Sequence, residues 1–108
     1  MVSHFKQILA QLHAVRPPAP VDAVKQLGSM DFASVYAQEP ELILDLVLRI
    51  AADSICACYD LRDPERADYL EALQEVSRKL NQLSGNASSD AELSTYLSKF
   101  DLQLAEFG

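Results

Sequence analysis

The stretch from residue 42 to residue 58 constrains the fold most, because its apolar side chains cover nearly the whole circumference of a helix. Only Asp45, Arg49 and Asp53 interrupt it. These three follow each other at intervals of four residues, which predicts a ladder of ion pairs along one side of the helix. Charges this dense also disfavour a membrane span. Such a helix needs cover on most sides, from the rest of a bundle or from a second subunit.

Proline, glycine and capping residues divide the rest of the chain into segments of helical periodicity. Pro40 suits the first helical position, so the central helix is predicted over 40–59. Ser3 is the expected N-cap of the first helix, and Gly28 is expected to end the second in a left-handed conformation. The other helices are predicted over 4–15, 21–27, 31–38, 64–83 and 90–106, with Ser29 or Asp31 capping the third and Ser88 or Ser89 capping the last.

The predicted fold class is all-α: a compact bundle of about four main helices and one or two short ones. No segment alternates between polar and apolar residues as a strand does. Short connections between the last three helices make them antiparallel neighbours. The 108 residues are too few for two ordinary domains, so residues 1–108 are expected to form a single helical domain. Three prolines in the connector at 16–20 favour an extended backbone there.

The formal net charge of −7 is concentrated in residues 31–75, which carry 11 acidic residues and 3 arginines. A field of this sign repels phosphate, so we expect no direct binding to nucleic acid or to a membrane, and we expect a basic protein as the partner. Six acids form the candidate partner-binding surface: Asp60, Asp63, Glu65, Asp68, Glu71 and Glu75. The alternative interpretation is a merely solvated helix face, interleaved with Arg62 and Arg66.

Cysteine and histidine are too sparse and too poorly spaced to indicate a metal site. Cys56 and Cys58 lie about 200° apart around a helix, so their two thiols cannot easily bind the same metal ion. We interpret them as small buried side chains with free thiols in a reducing compartment. His4 and His13 face opposite sides of the first helix and are expected to be exposed. No metal and no cofactor is expected.

Asp53-Ser54-Ile55 resembles, as three residues, the Asp-Ser-Leu site at which acyl carrier proteins bear phosphopantetheine. Those carriers are also small, acidic and helical. In them the serine opens a helix after a loop, whereas Ser54 follows twelve residues of continuous helical pattern. The resemblance implies a carrier that uses Ser54, which is the third hypothesis for the function of this chain.

The sequence contains no glycine-rich phosphate loop, His-Glu metal motif or nucleophile elbow, so no enzyme activity is expected. The leading hypothesis is a small cytoplasmic protein that docks to a partner through its helices, as an adaptor, a chaperone-like protein or an inhibitor. The second is an acidic, DNA-mimic-type inhibitor of a nucleic-acid-binding protein. The helix predicted over 40–59 has more apolar surface than the other helices can cover, which also predicts a homo-oligomer, in particular a dimer. The apolar side chains of the helix predicted over 64–83 form a stripe with coiled-coil-like spacing, which could serve as the interface of that dimer.

Overall fold

Six α-helices make up the part of the chain that the structure describes, and no strand occurs in that part. The computed structural model describes residues 2–86 and 91–107. In chain order the helices are α1 (Val2–His13), α2 (Val21–Leu27), α3 (Phe32–Gln38), α4 (Pro40–Asp60), α5 (Glu65–Asn86) and α6 (Ala91–Phe107). The all-α prediction is confirmed. None of these described helices is both long enough and apolar enough to cross a membrane.

One cluster of buried apolar side chains forms the core, and every helix contributes to it. α4 lies at the centre, against α1, α3, α5 and α6, while α2 packs on α1 and α5. The rings of Phe5 and Phe32 meet edge to face with their centroids 6.2 Å apart, which joins α1 to α3. The Cα radius of gyration is 13.0 Å, the size expected of a folded chain of this length.

The apolar stripe of α5 faces the core of its own chain. Its side chains are at most 5% exposed: Tyr69, Leu73, Val76, Leu80 and Leu83. α2, α3, α4 and α6 all pack against this helix. The interface role predicted for the stripe is therefore wrong, because intramolecular packing leaves none of it for a second subunit.

Helix ends differ from the predicted ones by up to three residues, as is usual where ends fray. α1 begins at Val2, so Ser3 lies inside the helix and is not its N-cap. α5 continues to Asn86, three residues beyond its predicted end at 83. Ser88 and Ser89, the predicted caps of the last helix, lie outside the described residues.

The capping predictions around α2 and α3 have opposite outcomes. The left-handed conformation predicted for Gly28 is wrong, because its φ of −61° and ψ of −18° are right-handed. The backbone continues from α2 into a turn whose N–H groups still bond to the last carbonyls of the helix. Asp31 does cap α3, since its carboxylate accepts hydrogen bonds from the Ser34 backbone N–H at 3.3 Å and from the Ser34 hydroxyl at 2.8 Å.

Candidate functional site

The six acids of the candidate surface lie along the turn between α4 and α5 and on the first half of α5. Five of them are exposed and Glu75 is half-buried. Three form ion pairs with bases of the same chain: Asp63 with Arg66 at 3.7 Å, Asp68 with Lys25 at 3.3 Å and Glu75 with Arg78 at 2.6 Å. A surface that imitates DNA needs a row of unpaired acids, so this pairing does not favour the DNA-mimic hypothesis.

The other three acids, Asp60, Glu65 and Glu71, have no side-chain hydrogen bond or ion pair within the described part of the chain. Their carboxylates are exposed and available to a partner. Asp60 ends α4, Glu65 begins α5 and Glu71 lies further along α5, so the three acids do not form one compact cluster. They differ in whether the surface beside them is concave.

A groove of about 410 Å³ separates the Pro-rich connector from the beginning of α5. Its lining comprises Pro18, Ala19, Pro20, Val21, Leu61, Glu65, Asp68 and Tyr69. A neighbouring hollow of about 300 Å³ is formed by residues 60–65. The structure thus brings Glu65 and Asp68 to an apolar groove, and it places Glu71 and Glu75 outside both concavities. We call the first concavity the docking groove.

The connector wall of the docking groove is fixed to α4 by a buried carboxylate. Asp53 is fully buried, and both its oxygens lie 3.2 Å from Nε of Arg49. Its Oδ1 also accepts a hydrogen bond of 3.2 Å from the backbone N–H of Ala19. The connector is therefore packed against the helices, and Ala19 belongs to the core.

The ion-pair ladder predicted along α4 forms only in part. Arg49 and Asp53 pair, but their side chains are 7% and 0% exposed, so the pair is internal. Asp45 instead contacts Nε2 of His13 on α1 at 3.1 Å. Because the connector covers this side of α4, Arg49 and Asp53 of the predicted polar stripe form a buried cluster, while Asp45 stays half-buried. The packing of residues so far apart in sequence could not be read from helical periodicity.

Tyr69 forms the floor of the docking groove and adjoins this buried cluster. Its side chain is 2% exposed, and within the described residues its hydroxyl has no hydrogen-bond partner; the same holds for Nη2 of Arg49. Burial raises the pKa of the Tyr69 phenol above its usual value, so the hydroxyl keeps its proton. Burial also raises the pKa of Asp53, against the opposing effect of the Arg49 guanidinium.

The cysteines and histidines show no arrangement for metal binding. Among the residues that the structure describes, no three His, Cys, Asp or Glu side chains are grouped as ligands of one ion. His4 and His13 are exposed, as predicted. Cys56 and Cys58 are free thiols, but both are half-buried instead of buried as predicted, because they lie at the margin of the covered face of α4. Burial raises the pKa of Cys58, which makes its thiol a weak nucleophile.

Ser54 is fully buried between α4 and α6. Its hydroxyl donates a hydrogen bond of 2.8 Å to the Ala51 carbonyl and accepts one of 2.6 Å from Nε2 of Gln103. Nε2 of Gln103 also lies 2.8 Å from that carbonyl. This geometry offers no accessible hydroxyl for a phosphopantetheine group, so it gives the carrier hypothesis no support.

The apolar half of the site was not predicted from the sequence, because Ala19 belongs to a connector whose packing the sequence left open and Tyr69 reads as an ordinary residue of the apolar stripe on 64–83. The three prolines of the connector were the only available signal, since they predict a stiff segment but not its docking place. Comparison with protein-family models, with curated proteins and with solved structures gives no match to this chain in any of the three.

Proposed function

We propose that this chain is a small cytoplasmic adaptor, chaperone-like or inhibitory protein that holds a basic segment of another protein in the docking groove. One observation carries the proposal: acidic side chains, Glu65 and Asp68, stand on the edge of a groove whose other lining is largely apolar. The occupant that fits is a Lys or Arg side chain next to an aliphatic or aromatic one. The apolar residue fills the groove, and the base reaches the acids on its edge.

An arginine or lysine suits this combination because each has an apolar stem and a charged end. The stem can lie along Pro18, Pro20 and Leu61 while the charged end remains in water near the carboxylates. Glu65 is unpaired within the described residues and available at once. Asp68 shares its charge with the exposed Lys25 at 3.3 Å, so a basic group of the partner would replace that lysine.

A fixed connector makes binding in the groove less costly. The hydrogen bond from Ala19 to Asp53 and the stiffness of the flanking prolines hold one wall in place before the partner arrives. A preformed wall reduces the ordering entropy that binding would otherwise cost. The groove volume of about 410 Å³ falls in the range of ordinary ligand pockets and admits a few side chains.

The test uses an array of short peptides in which a Lys or Arg stands beside Leu, Ile or Phe, with a second set in which Glu replaces the base. The full-length protein should bind the first set and not the second. Glu65→Gln should weaken binding to the best peptide about two- to five-fold, which is the contribution expected of one exposed charge pair. Isothermal titration at low and high salt measures this effect.

Glu71→Gln is the matched control, because Glu71 is also an exposed, unpaired glutamate of α5 but lies outside the groove. It should leave the affinity unchanged. If Glu71→Gln weakens binding as much as Glu65→Gln does, a general acidic field attracts the peptide, and the DNA-mimic hypothesis replaces this one. If no basic-apolar peptide binds better than its Glu counterpart, the proposal is wrong.

A further inference from the structure

α4 leaves an apolar row uncovered on the surface. Among the described residues, five large apolar side chains are exposed, and three of them lie on α4: Leu48 at 53%, Ile55 at 43% and Tyr59 at 80%. At about 100° per residue these three fall within roughly 40° of the helix circumference. The half-buried Leu44 and Ala52 lie about 20° beyond this strip, one on either side. Single exposed apolar residues are common on any protein, whereas an aligned row of them marks an interaction surface.

The row is symmetric about its centre. Ala51 and Ala52 occupy the middle, Leu48 and Ile55 lie equally far on either side, and the outer pair is Leu44 and Tyr59. We call these six residues the α4 seam. A second copy of α4 laid antiparallel across it would bring Leu48 of each copy to Ile55 of the other. Two-fold symmetry requires this reciprocity, and the small central residues let the two helices approach closely.

The charges at the two ends fit the same antiparallel register. Glu41 is exposed one turn before the seam, and Arg62 is exposed just after the end of α4. Neither side chain has an ion-pair partner in the described ranges. Antiparallel packing centred on the two alanines sets the acidic start of α4 in one copy, with Glu41, against the end of α4 in the other, which Arg62 follows by two residues. Parallel packing would instead set start against start and bring like charges together. Asp60 lies about 120° around the helix from the row and so faces another side.

We propose that the α4 seam is the interface of a symmetric, antiparallel dimer of this chain. A second copy is the occupant that the pattern favours, because both the apolar row and its terminal charges are complementary to themselves. The dimer would cover the apolar side chains of α4 that the other helices leave exposed. It does not depend on the proposed docking groove, which lies between the connector and α5.

The experiment compares Leu48→Glu and Ile55→Lys, each alone and mixed, by sedimentation and native mass spectrometry. The wild-type chain should be a dimer, and each variant alone should show a dimer dissociation constant raised about tenfold or more, since it places a charge against an apolar side chain. In the mixture, the new carboxylate at position 48 meets the new amine at position 55, while the second contact stays apolar. A heterodimer should therefore form.

Leu102→Glu is the control, because Leu102 is exposed on α6 and lies outside the seam. It should leave the dimer intact, and circular dichroism should show the same helix content in all variants. A monomeric wild type overturns the proposal, and so does a dimer that resists Leu48→Glu. Failure of the mixed variants to pair overturns the antiparallel register, because parallel helices would not bring positions 48 and 55 together.

Discussion

Arg49 and Asp53 bear most directly on the shape of the docking groove. Asp53 neutralises Arg49 and, through the same carboxylate, holds the backbone of Ala19 in the groove wall. A buried pair of this kind adds little net stability, because both charges have lost their water. Loss of one partner is far more damaging, since the remaining charge stays buried without compensation. The pair is therefore best understood as positioning the connector.

Asp53→Asn should lower the free energy of unfolding by about 3–5 kcal/mol, because it leaves the Arg49 guanidinium buried without a counter-charge. The amide oxygen can still accept the hydrogen bond from Ala19, so the loss reports on charge. Urea unfolding followed by circular dichroism measures it. Adding Arg49→Met to the same chain should recover most of the loss. A double variant as unstable as Asp53→Asn would contradict the charge-based explanation.

At the scale of the helix, α3 shows how a short element depends on its surroundings. It has seven residues, and an isolated helix of that length is unstable in water. Phe32 and Val35 bury its apolar face, and Asp31 satisfies the first backbone donors. The hydrogen bonds from Ser34 lower the pKa of Asp31 below its ordinary value of 3.8. The cap is thus strongest when this carboxylate is ionised.

The lowered pKa of Asp31 makes its stabilising effect dependent on pH. Its contribution should be complete above the unfolded value of 3.8 and should be lost as the pH falls through the lower folded value. The difference in unfolding free energy between wild type and Asp31→Ala should therefore shrink from about pH 5 to about pH 2. Asp31→Asn is the control, because asparagine caps without titrating. The difference in unfolding free energy between Asp31→Asn and Asp31→Ala should not change with pH. If the difference between wild type and Asp31→Ala is constant as well, the prediction is refuted.

At the scale of the whole molecule, polar contacts fix how α6 sits on the bundle. Asp101 accepts hydrogen bonds from the hydroxyl of Ser77 and, at 2.9 Å, from Nδ2 of Asn81 on α5. On the opposite side, Gln103 donates to α4. Apolar packing alone is not directional, so these two residues help to set the register of the last helix.

Asp101→Ala should lower the free energy of unfolding by about 1–3 kcal/mol, because the buried Ser77 hydroxyl and the Asn81 amide lose a shared acceptor. Urea unfolding should show a lower midpoint with an unchanged slope, as expected when stability alone changes. Lys99→Ala, at an exposed position of the same helix, should stay within about 0.5 kcal/mol of wild type. Equal effects of the two variants would mean that Asp101 does not tie the helices together.

Local chemistry determined the helices of this protein and most of their boundaries. The range of α2 matches its prediction, and α4 begins at Pro40 as predicted and ends one residue later. Proline, capping side chains and apolar periodicity act within a few residues of each other, so they can be recognised before the chain is folded. For the same reason, the acids Asp68 and Glu71 could be placed on the solvated side of α5.

Only the tertiary structure decided which apolar faces would be covered and where a groove would open. The stripe of α5 is buried by its own chain, while Leu48, Ile55 and Tyr59 of the α4 seam are exposed, although both rows have helical spacing suited to an interface. The docking groove joins residues 18–21 to residues 61–69, and Asp53 becomes internal only because Ala19 packs over it. Such contacts depend on how preformed helices fit together in three dimensions, and periodicity within one helix carries no record of its neighbours.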